Sequence, residues 1–145
     1  MDTDELIAHE AIRDLVARYN ANADAGRFAE VVELFTDDAV IELPGEVIEG
    51  RAAIDAMFQD VRTQVAASAA PGTTPHLRHF TATLQIDLVD PDHATSRCYF
   101  QVLMPEGLDH WGRYVDEYVR VAGEWRFARR RVNVDGRRPG SPFGL

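Results

Sequence analysis

Apolar residues return every three or four positions at the start of the chain. Ala8, Ile12, Leu15, Val16, Tyr19 and Ala23 form one stripe, and this spacing predicts an amphipathic helix over residues 3–25. Asp2 or Thr3 can satisfy the free N–H groups at its start, and Gly26 can end it. Phe28, Val31, Val32 and Phe35 share the face of a shorter helix over 27–35, closed by Thr36-Asp37-Asp38. Residues 39–43 and 46–49 flank Pro44-Gly45 as short strand candidates. Ile54, Met57, Phe58, Val61 and Val65 then mark a third helix over 51–68, and a loop with Pro71, Gly72 and Pro75 follows.

Beyond that loop the period drops to two. Over 76–89, Phe80, Ala82, Leu84, Ile86 and Leu88 alternate with His79, Thr81, Thr83, Gln85 and Asp87. Asp90-Pro91-Asp92 turns the chain into a strand over 94–104. Pro105-Glu106-Gly107 leads to a strand over 109–121, and Ala122-Gly123 to one over 124–135. The glycine- and proline-rich segment 136–145 reads as a flexible C-terminal tail, mobile or lying on a neighbour. Three helices followed by an antiparallel meander define an α+β class. Tyr99 and Leu103 oppose Cys98, Phe100, Val102 and Met104, so the sheet is apolar on both faces. Helices can cover one face, and a second copy of the chain is the economical cover for the other.

Composition narrows the partners. A length of 145 residues suits one domain with one core. A net charge of −9 argues against nucleic acid and against anionic membranes. No apolar run approaches the roughly 20 residues of a membrane span. The acidic start Met1-Asp2-Thr3-Asp4-Glu5 lacks the features of a signal peptide, so a cytoplasmic location is expected. All fifteen basic residues are arginine, which excludes Schiff-base chemistry through lysine. The three serines, Ser68, Ser96 and Ser141, lie outside any G-x-S-x-G turn, and no glycine-rich nucleotide loop is present. Cys98, the single cysteine, reads as a packed strand residue. His76 and His79, three apart on a strand, point to opposite faces, so neither a metal nor a cofactor is expected.

The candidate chemistry centres on Asp24 and His79, separated by 55 positions. If folding brings them together, His79 can act as general base and then acid while Asp24 orients the imidazole. Tyr19 can donate to a developing enolate oxygen, and Arg130 can neutralise that charge or bind a substrate carboxylate. Each residue also has a plainer role. The alternation places His79 on the more polar face of its strand, and a bulge near 80–82 would be needed to turn it inward. Asp24 can simply close its helix, although a carboxylate there meets the negative end of the helix dipole. Tyr19 lies on the apolar stripe and reads first as core. Arg129, Arg130 and Arg131 alternate in direction, and one can pair with Asp116 or Glu117. Phe28, Phe58, Trp111, Tyr99 and His110 are the candidate contacts to a bound molecule, with Phe100 among the walls.

Several stretches taken together add a resemblance. They are Arg18-Tyr19 with Asp24 and Gly26-Arg27-Phe28; Leu34-Phe35-Thr36-Asp37-Asp38-Ala39; Gly50-Arg51 with Ile54; His79-Phe80; Gly112-Arg113-Tyr114 with Asp116; and Trp125-Arg126-Phe127 with Arg130. Over about residues 5–135 the chain resembles the SnoaL-like branch of the nuclear-transport-factor-2-like superfamily, the cystatin-like α+β cone. The resemblance implies a single domain over 1–135. It also implies a curved, mostly antiparallel sheet wrapped around three N-terminal helices, a conical pocket, and homodimers packed through the outer sheet face. The motifs look nearest to dehydratases of the scytalone and bile-acid types, in which an aspartate at the end of the first helix pairs with a histidine on the first long strand. Asp24 and His79 match those positions, and Tyr19 matches a tyrosine that bile-acid enzymes keep five residues before the aspartate. Scytalone-type members carry a second histidine before the Arg-Tyr pair matched by Arg113-Tyr114; here Trp111 stands at that place and His110 is displaced by one.

The expected activity is therefore a cofactor-independent dehydratase-like lyase or isomerase. Its substrate would be a small hydrophobic carbonyl compound such as a steroid, polyketide or aromatic metabolite. Two alternatives stay open. One is epoxide hydrolysis of the limonene type, for which Asp116 with Arg113 gives a faint match. The other is a non-catalytic ligand-binding or partner-subunit domain.

Overall fold

The computed structural model describes residues 1–144. Helix α1 (Thr3–Asp24) starts on a reciprocal cap: Asp2 accepts from the Glu5 N–H, and Glu5 accepts from the Asp2 N–H. Its predicted stripe buries Ile12, Leu15, Val16 and Tyr19. Helix α2 is shorter than the periodicity implied, Phe28–Val32. Phe35 leaves the helix because it opens strand β1 (Phe35–Leu43), where its ring stacks on Phe127 at 5.1 Å. The register of β1 is irregular between Phe35 and Val40, and this passes the Asp37–Asp38 pair to solvent. Strand β2 (Glu46–Glu49) and helix α3 (Arg51–Ser68) follow, the latter burying Ile54 and Phe58.

The long strands are β3 (Arg78–Asp90), β4 (His93–Met104), β5 (Gly107–Val121) and β6 (Glu124–Arg137). With β1 and β2 they form one open, curved, six-stranded sheet in the order β2-β1-β6-β5-β4-β3. Every pairing is antiparallel except β1 with β6, which is parallel. That parallel pair requires the chain to cross over through α3 and four strands, and it ties the two halves of the domain together. The main core lies between the helices and the inner sheet face, around Ile12, Tyr19, Phe35, Ile54, Tyr118 and Phe127.

The segment after β6 departs from the expected free tail. It folds back on its own domain: Arg138 and Ser141 bond Asp109, and Phe143 is only 7% exposed. Among the described residues no helix is long and apolar enough to cross a membrane.

Candidate active site

The position of His79 depends on one extra residue in β3. Ala82 pairs with Tyr99 and Gln85 with Arg97, so Thr83 and Leu84 together oppose a single residue of β4. Thr83 takes a left-handed backbone, φ 59°, a conformation that costs an L-residue about 1–2 kcal/mol. The bulge reverses the parity of the strand. Beyond it Leu84, Ile86 and Leu88 face inward, as their alternation predicts; before it His79 faces inward and Phe80 is exposed. The bulge therefore lies just after the 80–82 stretch.

Asp24, in the last turn of α1, receives His79 on both carboxylate oxygens. The His79 backbone N–H donates to Oδ2 at 2.9 Å, and the ring Nδ1 lies 2.6 Å from Oδ1. Both side chains are mostly buried, 16% exposed for His79 and 13% for Asp24. A carboxylate only accepts, so Nδ1 carries the hydrogen, and in the neutral ring Nε2 keeps a free lone pair. These two bonds offset the unfavourable helix-end position of Asp24.

The pair opens onto a cavity of about 750 Å³ between the helices and the inner sheet face. That volume suits a small organic molecule. Its walls are mostly apolar: Phe28, Met57, Phe58, Val61, Leu77, Phe100, Val102 and Val132, with Tyr19 and Tyr114 deeper in. Burial raises the phenol pKa of both tyrosines, that of Tyr114 strongly, so both stay protonated and able to donate at neutral pH. Glu46, Glu49 and Asp60 make the rim acidic. Arg62 also lines the cavity, but it donates to the Gly26 carbonyl at 2.7 Å and lies over the Phe28 ring.

A second carboxylate–imidazole pair lies beside the same cavity, with His110 in its wall and Asp109 behind it. His110 Nδ1 lies 2.8 Å from Asp109 Oδ2, and both side chains are buried. The register slips between Val102 and Leu103, whose partners are His110 and Leu108; Asp109 is the extra residue, and adjacent side chains thereby both turn inward. Burial lowers the pKa of His110, and Asp109 only partly offsets this, so the ring is neutral at pH 7. From His110 onward the even positions of β5 face inward, so the displacement by one noted in the sequence is what brings His110 to the cavity.

Three expected site residues fall elsewhere. Trp111 (38% exposed) and Tyr99 (57% exposed) lie on the outer sheet face. Strand parity forces this, and Gly136 leaves room for the Trp111 indole, which a Cβ there would meet at 2.3 Å. Arg130 points inward but does not reach the cavity. It is fully buried, donates two hydrogen bonds to Asp116 at 2.9 and 2.8 Å, and lies within 4.1 Å of the Tyr19 and Tyr114 ring centres. Burial opposes its charge, but Asp116 holds its pKa well above the ordinary value. Arg130 thus lies behind the tyrosines, paired with Asp116 and outside the cavity lining. The epoxide-hydrolase set does not assemble either, because Arg113 pairs with Asp135 at 3.2 Å while Asp116 is taken by Arg130. Among the described residues no three His, Cys, Asp or Glu side chains are grouped as metal ligands.

The sequence reading missed Asp109, Tyr114 and Phe143 as site residues. The adjacent Asp109-His110 pair and the even-numbered run His110, Gly112, Tyr114 were the available signals. Nothing in the 136–145 composition pointed to Phe143.

The chain belongs to the SnoaL-like domain family, whose model matches residues 4–131. It is similar in structure to a protein of unknown function from Mycobacterium tuberculosis (29% identity, TM-score 0.78, covering 90% of this chain and 73% of that one). A protein from Novosphingobium aromaticivorans provisionally named a scytalone dehydratase superposes with TM-score 0.80 at 21% identity, covering 100% and 99% of the two chains. A type 2 hexachlorocyclohexane dehydrochlorinase superposes with TM-score 0.79 at 20% identity, covering 100% and 98%. At such identities these last two establish the fold, and another similar structure carries the description cystatin-like. No curated protein sequence matches the chain.

Proposed function

We propose that the protein is a lyase that eliminates a small leaving group from an uncharged, hydrophobic molecule by proton transfer. The observation that carries this reading is the Asp24–His79 bond of 2.6 Å, with the ring edge facing a largely apolar cavity of about 750 Å³. In the step envisaged, His79 Nε2 takes a proton from carbon and the C–H pair becomes the new double bond. The leaving group departs with the electrons of its own bond. Where it is hydroxide, an imidazolium returns the proton and water is released. Asp24 fixes the tautomer and stabilises the imidazolium. Tyr19 and Tyr114 supply donors for a carbonyl or leaving oxygen, and neutral His110 is a second group able to accept a proton. Dehydration, its reverse and isomerisation share this machinery.

The similar structures whose names refer to dehydration and dehydrochlorination support elimination as the reaction class. The acidic rim and the sealed Arg130 favour an uncharged substrate over a carboxylate or phosphate ester. We also infer a homodimer through the outer sheet face, where Phe80, Tyr99, Trp111 and Val115 are exposed on neighbouring strands. A monomer at micromolar concentration in sedimentation would contradict it.

The reaction is tested by screening cyclic hydroxyketones and halogenated cycloalkanes with wild type and His79→Ala. The reading predicts turnover that His79→Ala loses by roughly 10²–10⁴-fold. No turnover by the wild type across both classes would favour a binding role.

A further inference from the structure

The chain beyond β6 is bound to the second carboxylate–imidazole pair through Arg138, Ser141 and Phe143. Asp109 is fully buried, and its Oδ2 accepts from both His110 Nδ1 at 2.8 Å and Ser141 Oγ at 2.7 Å. Its Oδ1 accepts from Arg138 Nε at 2.9 Å, and its backbone carbonyl accepts from the Arg138 N–H at 2.7 Å. The Phe143 N–H donates in turn to Ser141 Oγ at 3.3 Å, and the Phe143 ring sits 5.1 Å from the His110 ring, lining the cavity.

We propose that Arg138 and Ser141 are positioning residues: acting through Asp109, they fix which nitrogen of His110 faces the cavity, and Phe143 completes the wall beside it. The proposal rests on the reading of His110 as a proton-transfer group. Its physical basis is the state of Asp109. A buried carboxylate stays ionised only when charge or several donors meet it. Arg138 supplies the charge, and Arg138 with Ser141 fills two of the acceptor sites that His110 leaves free. Ionised, Asp109 can only accept, so His110 must carry its hydrogen on Nδ1 and present a bare Nε2. Stripped of both donors, Asp109 would take up a proton or swing away. A protonated Asp109 donates to Nδ1, which moves the hydrogen of His110 to Nε2 and removes its basic site from the cavity. The His79–Asp24 pair has its own backbone anchor and shares none of these contacts, so it serves as an internal control.

The test is ring-nitrogen NMR on the full chain with ¹⁵N-labelled histidine at pH 7.5, with His110→Gln to assign its signals. In wild type the expected pattern for His110 is a single tautomer, with a protonated Nδ1 and an unprotonated Nε2. In Arg138→Gln/Ser141→Ala that pattern gives way to the Nε2–H form or to averaged signals, while His79 keeps its wild-type pattern. Ser141→Thr, which retains the hydroxyl, keeps the wild-type pattern for both rings. Should the double variant not fold, as judged by its amide spectrum, the two single variants each carry the same prediction of a partial shift. An Nε2–H His110 in wild type, or an unchanged tautomer in every variant that folds, would overturn the proposal. The elimination screen bears separately on the lyase reading, so the two can fail independently.

Discussion

Replacing Asp116 by alanine should unfold the protein more readily than any conservative change in the cavity wall. The substitution leaves the guanidinium of Arg130, fully buried under Tyr19, Tyr114 and Phe127, with no counter-charge. Two hydrogen bonds to Arg130 and one from the Tyr118 hydroxyl at 3.1 Å are lost with the carboxylate. Removing one partner of such a pair typically costs about 3–5 kcal/mol. For a chain of this length about 1 kcal/mol corresponds to roughly 2–4 °C, so Tm should fall by roughly 6–20 °C. Arg130→Met leaves the carboxylate unpaired and should cost a similar amount. The double variant Asp116→Ala/Arg130→Met should be less destabilised than the sum of the two, because no lone charge remains. Urea denaturation of the four proteins gives the coupling directly. Losses below about 1 kcal/mol for both single variants would refute the reasoning. They would mean that water reaches the pair and that Arg130 is available to a ligand after all.

Three other outcomes follow from the geometry. His110 has a folded pKa below its ordinary value of about 6.5, so its neutral form contributes stability that is complete above pH ~6.5 and is lost as pH falls through the lowered folded value; denaturation across that range should show a shallower pH slope for His110→Gln, and identical slopes would contradict this. Thr83→Gly relieves the left-handed backbone at the bulge and should be neutral or stabilising by up to about 1 kcal/mol, whereas a clear loss of stability would show that the threonine side chain matters more than its backbone. Burial pushes the Cys98 thiol up to about 11, so a thiol reagent at pH 8 should modify it only in denaturant, and rapid labelling of the folded protein would count against its packing.

The sequence carried the element order because helical and strand periods differ and each long segment keeps one period. It also carried the Asp24–His79 pairing, as a match of residue type and position. Two kinds of feature escaped it. The first is local parity. Alternation assigned His79 to the more polar face and showed only that a bulge near 80–82 could turn it inward; that one exists, at Thr83, was not legible because no glycine marks it. The same rule explains Trp111 and Tyr99, whose aromatic character suggested the cavity while their parity put them outside. The second is long-range satisfaction of buried charge. The sequence allowed one of Arg129, Arg130 and Arg131 to pair with Asp116 or Glu117, but not which one, nor that the pair is wholly buried behind the tyrosines. The tail looked free because its anchor, Asp109, lies 32 residues before Ser141.

The most direct test of the central claim is a double-variant cycle on whichever substrate the elimination screen identifies, comparing wild type, Asp24→Asn, His79→Ala and the two combined. If Asp24 acts only through His79, Asp24→Asn loses much of kcat, His79→Ala loses roughly 10²–10⁴-fold, and the combined variant is no slower than His79→Ala alone. Turnover by His79→Ala equal to wild type would contradict the account outright.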